Sequence, residues 1–178
     1  KDKKVIGFNI ANSLRDKKNI NLPSKSKLNN IRSDFVGNLS YTPSDILDFN
    51  YDFSYDKNLK NSNYDSISTS ISVNNFITNF NFISEDGEIG NNEVISNITT
   101  LKFDNENSLK FKASKDLKND FTEYYNLIYA YENDCLIASA EFNKKFYRDG
   151  SLLPEKSILF TIKFIPFAEI KPAATSLN

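Results

Sequence analysis

The sequence has no histidine, no methionine and no tryptophan, and only one cysteine in 178 residues. Without an imidazole, Ser-His hydrolysis, Cys-His proteolysis, HExxH zinc chemistry and histidine-ligated haem are all excluded. A single cysteine excludes an intrachain disulfide and an all-cysteine zinc site. A translated chain begins with methionine and this one begins with Lys1, so it reads as a processed or truncated piece. No stretch approaches the ~18 consecutive apolar residues of a membrane-spanning helix. The opening residues, which include KDKK and SLRDKK, lack the apolar core of a signal peptide. Lys and Arg number 22 against 23 Asp and Glu, for a net charge of −1, and both signs are scattered. No basic stripe is left for nucleic acid, so that partner class is not expected. A β-barrel stays open, because its strands cross a bilayer with alternating side chains and low mean hydropathy.

What is present is alternation. In 46–55, ILDFNYDFSY, Leu47, Phe49, Tyr51, Phe53 and Tyr55 fall on one face and Asp48, Asn50, Asp52 and Ser54 on the other. The same period recurs in 64–73 (Ile67, Thr69, Ile71, Val73), in 76–82 (Phe76, Thr78, Phe80, Phe82) and in 125–131 (Tyr125, Leu127, Tyr129, Tyr131). Helical spacing of apolar residues is rare, and no capping box opens a long periodic run. The pattern predicts about ten antiparallel strands, at roughly 3–10, 32–41, 46–56, 64–73, 75–83, 93–103, 107–116, 121–132, 135–147 and 157–167. Most reach the ~9 to 11 residues of a tilted membrane strand.

The connections alternate as well: the odd-numbered ones, 11–31, 57–63, 84–92, 117–120 and 148–156, are the longer, while the even-numbered ones, 42–45, 74, 104–106 and 133–134, are tight. Outer-membrane barrels have short periplasmic turns and longer extracellular loops. A soluble sandwich has no reason to keep that asymmetry, since water meets both of its ends. The expected fold is therefore all-β, with residues 1–168 a curved wall segment of a transmembrane outer-membrane β-barrel and 169–178 a carboxy-terminal tail. The alternative is a soluble two-sheet β-sandwich, a carbohydrate-binding module that uses exposed Tyr and Asn.

On the barrel reading, Leu47, Phe49, Tyr51, Phe53, Tyr55, Phe160, Ile162 and Phe164 face lipid, together with Ile158, and Asp48, Asn50 and Asp52 face a wet lumen. Tyr41, Tyr55, Tyr64, Tyr131 and Tyr147, near strand ends, fit an interfacial girdle. Candidate chemistry is thin. Asp48 and Asp52 share one strand face, a spacing compatible with acid and base work that a solvated face also produces. Asp86-Gly87-Glu88 is an acidic loop without the ligand spacing of an EF-hand. No catalysis, cofactor or metal is expected. Cys135, in the tight turn Glu132-Asn133-Asp134-Cys135, is a small apolar residue or incidental thiol, or else has a partner outside this chain.

Three stretches resemble the carboxy-terminal part of the lipopolysaccharide-assembly outer-membrane family, LptD. They are Ser33-Asp34-Phe35-Val36-Gly37 running into Tyr41-Thr42-Pro43-Ser44-Asp45 and Leu47-Asp48-Phe49-Asn50-Tyr51; Leu127-Ile128-Tyr129-Ala130-Tyr131-Glu132-Asn133-Asp134-Cys135-Leu136; and Phe146-Tyr147-Arg148-Asp149 followed by Ile158-Leu159-Phe160-Thr161-Ile162-Lys163-Phe164. The similarity runs from about Arg32 to Phe167. It implies a many-stranded barrel in the cell outer membrane of a Gram-negative bacterium, folded by the barrel-assembly machinery and plugged by an LptE-like lipoprotein. A periplasmic jellyroll and bridge components deliver lipopolysaccharide, which leaves through a lateral opening into the outer leaflet. It also implies that Cys135 forms a disulfide with a cysteine in an amino-terminal periplasmic region outside this chain. Asp134 stands where many members carry a second cysteine, and the last strand lacks the glycine common in assembly signals.

Overall fold

The structure, a computed structural model, describes residues 5–86, 91–147, 152–165, 168–170 and 175–176. Alternating side chains give extended backbone throughout. The strands are β1 (Val5–Ala11), β2 (Phe35–Ser44), β3 (Leu47–Tyr55), β4 (Ser62–Val73), β5 (Phe76–Glu85), β6 (Asn92–Lys102), β7 (Asn107–Asp116), β8 (Phe121–Glu132), β9 (Leu136–Lys145) and β10 (Glu155–Phe164). Two short strands follow, β11 (Ala168–Ile170) and β12 (Thr175–Ser176). The ten long strands form one antiparallel sheet in sequence order. Helix is confined, among the described residues, to a single 3-10 turn at Lys25–Lys27, and no helix is long and apolar enough to cross a membrane.

Two compact units divide the chain: Lys1–Ile71 with Phe80–Ile95, and Ser72–Asn79 with Ser96–Asn178. Each unit takes part of β4, β5 and β6. The tail at 169–178 contributes backbone pairing, since β11 and β12 both run antiparallel to β10. No pairing joins β1 to β10 among the described residues.

In the first unit, β1, β2, β3 and β4 are joined by antiparallel ladders. The expected turn at 42–45 is shorter than the sequence suggested, because β2 runs on through Pro43 to Ser44 and only 45–46 turn. A register shift between Tyr41 and Ser44 makes room for the proline, which has no N–H to give a regular ladder. The long connection 12–34 folds back on itself, with Leu14 bridged to Arg32 and Asp34 N–H donating to Ser26 O at 2.9 Å.

In the second unit, β7 to β10 form ladders in the expected places. A row of backbone bonds ties the ends of its tight turns together: Lys102 N–H to Asn75 O, Glu132 N–H to Glu106 O and Ile165 N–H to Cys135 O, at 2.8, 2.8 and 2.9 Å. Turns 74–75, 103–106 and 133–135 therefore share one end of this unit. At the opposite end lie 117–120 and the start of 146–154, where Phe146 N–H donates to Glu123 O. Asn74, at φ 50°, takes the left-handed conformation that asparagine tolerates better than most residues.

Candidate functional site

Directly paired residues of antiparallel strands point to the same side of the sheet, so register assigns the faces. In the first unit one face carries Phe8, Leu39 and Tyr51 in one row and Ile6, Tyr41 and Phe49 in the next. Phe53 is the hub of its aromatics, with ring centroids 6.4 Å from Phe8, 5.4 Å from Tyr51 and 5.8 Å from Tyr55. In the second unit the matching rows are Phe111, Leu127, Phe142 and Ile158, then Leu109, Tyr129, Ala140 and Phe160, then Tyr131, Ala138 and Ile162, with Leu136 beside Phe164. These faces are open: Phe8 is 61% and Phe160 57% exposed.

The opposite face is polar and better covered. In the first unit it carries Asp48, Asn50, Asp52 and Ser54 beside Ser66, Ser68 and Ser70. Asn38 Nδ2 donates to Asp52 Oδ1 at 2.8 Å. In the second, Asn126 is 6% exposed and donates to Glu141 Oε1 at 2.5 Å and to Asn143 Oδ1, while Ser114 Oγ donates to Glu123 Oε2 at 2.6 Å. Among the described residues no apolar side chain is buried. The buried ones are Ser33, Asp34, Ser54, Thr78, Ser114, Asp116 and Asn126. Soluble domains invert that distribution, because burial of apolar area is what drives them to fold.

Connection 12–34 covers part of the polar face. Lys25 and Ser26 line, with Val36, Asp52, Ser54 and Tyr64, an open cavity of about 330 Å³. Beside it Asp34, 2% exposed, accepts from Asn63 Nδ2 at 2.8 Å through Oδ2. Asp34 Oδ1 and Ser54 Oγ are buried without a partner among the described residues, a state that calls for water or another polar group.

Most residues singled out in the sequence have a place among the described ones. Leu47, Phe49, Tyr51, Phe53 and Tyr55 share one face of β3, and Phe160, Ile162 and Phe164 one face of β10. Asp48 and Asp52 share the polar face, but four residues of strand separate them by ~13 Å, too far for a working carboxylate pair. Asp48 accepts from Thr42 Oγ1 at 3.4 Å. Tyr64 does not join a girdle with Tyr41 and Tyr55, because it pairs with Ser54 on the polar face. Its even number sets it with Ser66 rather than with Ile67. Of the acidic loop, Asp86 N–H donates to Asn63 O at 3.0 Å, whereas Gly87 and Glu88, like Arg148 and Asp149, lie outside the described residues.

Cys135 is an exposed free thiol. Its turn is held by the Asn133 side chain, whose Oδ1 accepts from Cys135 N–H at 3.0 Å and Leu136 N–H at 2.8 Å. Asn133 Nδ2 in turn donates to Tyr131 OH at 3.0 Å. Asp65, a carboxylate on the apolar face opposite Phe53, carries no motif that singles it out in the sequence. It accepts from the hydroxyls of Tyr51 and Ser62, both at 2.5 Å, which keeps it satisfied near a strand end. Comparison with protein-family models, curated proteins and solved structures returned no match.

Proposed function

We propose that this chain is part of the wall of an outer-membrane β-barrel that transports lipopolysaccharide and inserts it into the outer leaflet, without catalysis of its own. The single observation that carries the membrane half of this reading is the inversion of burial: among the described residues every buried side chain is polar, and the large apolar ones are left exposed. A chain of this length has enough apolar residues to build a core in water, yet it spends them on one exposed face of each unit. Hydrocarbon is the solvent that favours such a face, and backbone pairing along every long strand leaves few groups for lipid to reject. The alternation of tight and longer connections supports the same placement. The transport half rests on the resemblance between Arg32 and Phe167.

In this reading Cys135, on a tight-turn end, faces the periplasm and bonds to a cysteine of the receiving jellyroll, keeping the lipopolysaccharide path continuous. An LptE-like lipoprotein fills the lumen against Asp48, Asn50 and Asp52, and transport proceeds by separation of strands at the barrel seam. Depletion of the protein from its own cell tests the function. The expected result is loss of newly made lipopolysaccharide from the surface, read with a membrane-impermeant probe, with synthesis unchanged. Unchanged surface delivery contradicts it.

A further inference from the structure

The apolar face of the second unit has a defect in its packing. Across three strands its rows read large, small, large: Tyr129, Ala140, Phe160 and then Tyr131, Ala138, Ile162. The two alanines leave a trough along β9, walled by Tyr129 and Tyr131 on one side and Phe160 and Ile162 on the other, with a volume of about 240 Å³. Nothing polar projects into it from the strands, since Ser139 and Thr161 belong to the other face by register.

Two rows further toward the 117–120 end, the same face changes character. Lys144 lies directly opposite Lys156 on one side and Tyr125 on the other. Like charges in a direct cross-strand pair repel, and neither lysine makes an ion pair among the described residues. Aromatic rings frame them: Tyr125 stacks on Phe111 at 6.3 Å and meets Phe146 edge-on at 5.9 Å, and Lys144 Nζ sits 4.7 Å from the Phe146 ring centre. Lysine among aromatics at the end of an apolar strand face is the composition of a headgroup layer. From Ala140 to Lys144 is ~13 Å along the strand, a distance that extended hydrocarbon of an acyl chain covers.

We propose that this surface holds one anionic lipid of the leaflet at the 117–120 end, its phosphate between Lys144 and Lys156 and one acyl chain in the Ala138–Ala140 trough. Charge complementarity selects the occupant. A phosphate relieves the repulsion of the two ammonium groups, and a zwitterionic lipid, whose own cation follows its phosphate, relieves it less. The trough replaces the missing side-chain volume with methylenes, restoring contacts that an unfilled groove forfeits. The inference rests on the membrane reading above.

The test uses the full chain in phosphatidylcholine vesicles doped with phosphatidylglycerol or phosphatidylcholine carrying a photoreactive diazirine in the acyl chain, with cross-links mapped by peptide mass spectrometry. Labelling at 138–142 is expected to favour the phosphatidylglycerol probe by about 5-fold for each lysine. Substituting K144Q with K156Q is expected to bring the two probes to parity, and K144R with K156R to keep the preference. A140L is expected to lower labelling by both. Equal labelling by the two headgroups, or a preference that survives the double glutamine variant, overturns the proposal, provided that Phe49 and Phe53 are labelled. Absence of labelling at every site, Phe49 and Phe53 included, overturns the membrane reading and this site with it.

Discussion

The ring of Phe53 covers Gly37, its direct cross-strand partner, so closely that a methyl group at Gly37 would run into it and would also come within 2.6 Å of Asn9 O. Neither neighbour yields cheaply, since one is a ring packed among Phe8, Tyr51 and Tyr55 and the other is ladder backbone. Gly37→Ala is therefore expected to destabilise the sheet by about 1 to 3 kcal/mol. Gly7→Ala is the control, because its methyl would meet only the Ser40 hydroxyl, which can rotate away. Denaturant unfolding of both variants in the same micelle checks the order, and equal costs would show that the ring does not hold its place over Gly37.

Phe49 tests which solvent meets the apolar face. It sits between Tyr41 and Thr69, third in β3 and at the last regular pair of the β2–β3 ladder before the register shift. Phe49→Arg is expected to cost about 2 to 4 kcal/mol if the row is near the bilayer midplane, measured as folding free energy in vesicles. A cost below 1 kcal/mol would mean that water already reaches this face.

Asp104 gives the chain an acid-sensitive turn. Its carboxylate accepts from Asn107 Nδ2 at 2.9 Å and from the backbone N–H groups of Glu106 and Asn107 at 2.8 and 2.6 Å. The Asn107 side chain, then those N–H groups, hold its pKa below the ordinary carboxylate value. A carboxyl depressed in the folded state stabilises above its unfolded pKa, and that contribution fades as the pH falls through the folded value. Asp104→Ala is therefore expected to be less stable than wild type at pH 7 and to approach it at pH 3. A difference that does not change with pH would exclude the carboxylate as its source.

Cys135 separates an interdomain bond from an incidental thiol. In an oxidising compartment an exposed turn cysteine keeps a disulfide, and this chain has no second cysteine to supply one. Cys135→Ser in the intact protein is expected to change nonreducing gel mobility and to impair surface delivery of lipopolysaccharide without unfolding the sheet. Unchanged mobility, with the wild-type thiol open to alkylation, would leave Cys135 as a small residue in a turn.

Period-2 alternation made the strands legible, and β7 and β8 fall where alternation and turn residues placed them. Pro43 was misleading, because a proline reads as a turn from sequence and the bulge that carries it in β2 depends on the partner strand. The shorter β11 and β12 have no alternation to announce them. Side-chain parity, read consistently, would have put Tyr64 on the polar face. What sequence could not provide was the cover over that face, since connection 12–34 is held by backbone bonds such as Asp34 N–H to Ser26 O, which any residue can make. Nor could it show the trough at Ala138 and Ala140, which exists only because Tyr129 and Phe160 are brought to either side of it.

The most direct measurement is a scan of single cysteines at 48–53, in a Cys135→Ser background, in the full chain folded into lipid vesicles. Each is labelled with a spin probe whose collisions with a water-soluble relaxer and with a lipid-soluble one are compared. The account predicts alternation along β3, with 48, 50 and 52 reached from water and 49, 51 and 53 reached from lipid. Protection of 49, 51 and 53 from both reagents would mean that a second sheet covers them, and it would contradict the membrane wall.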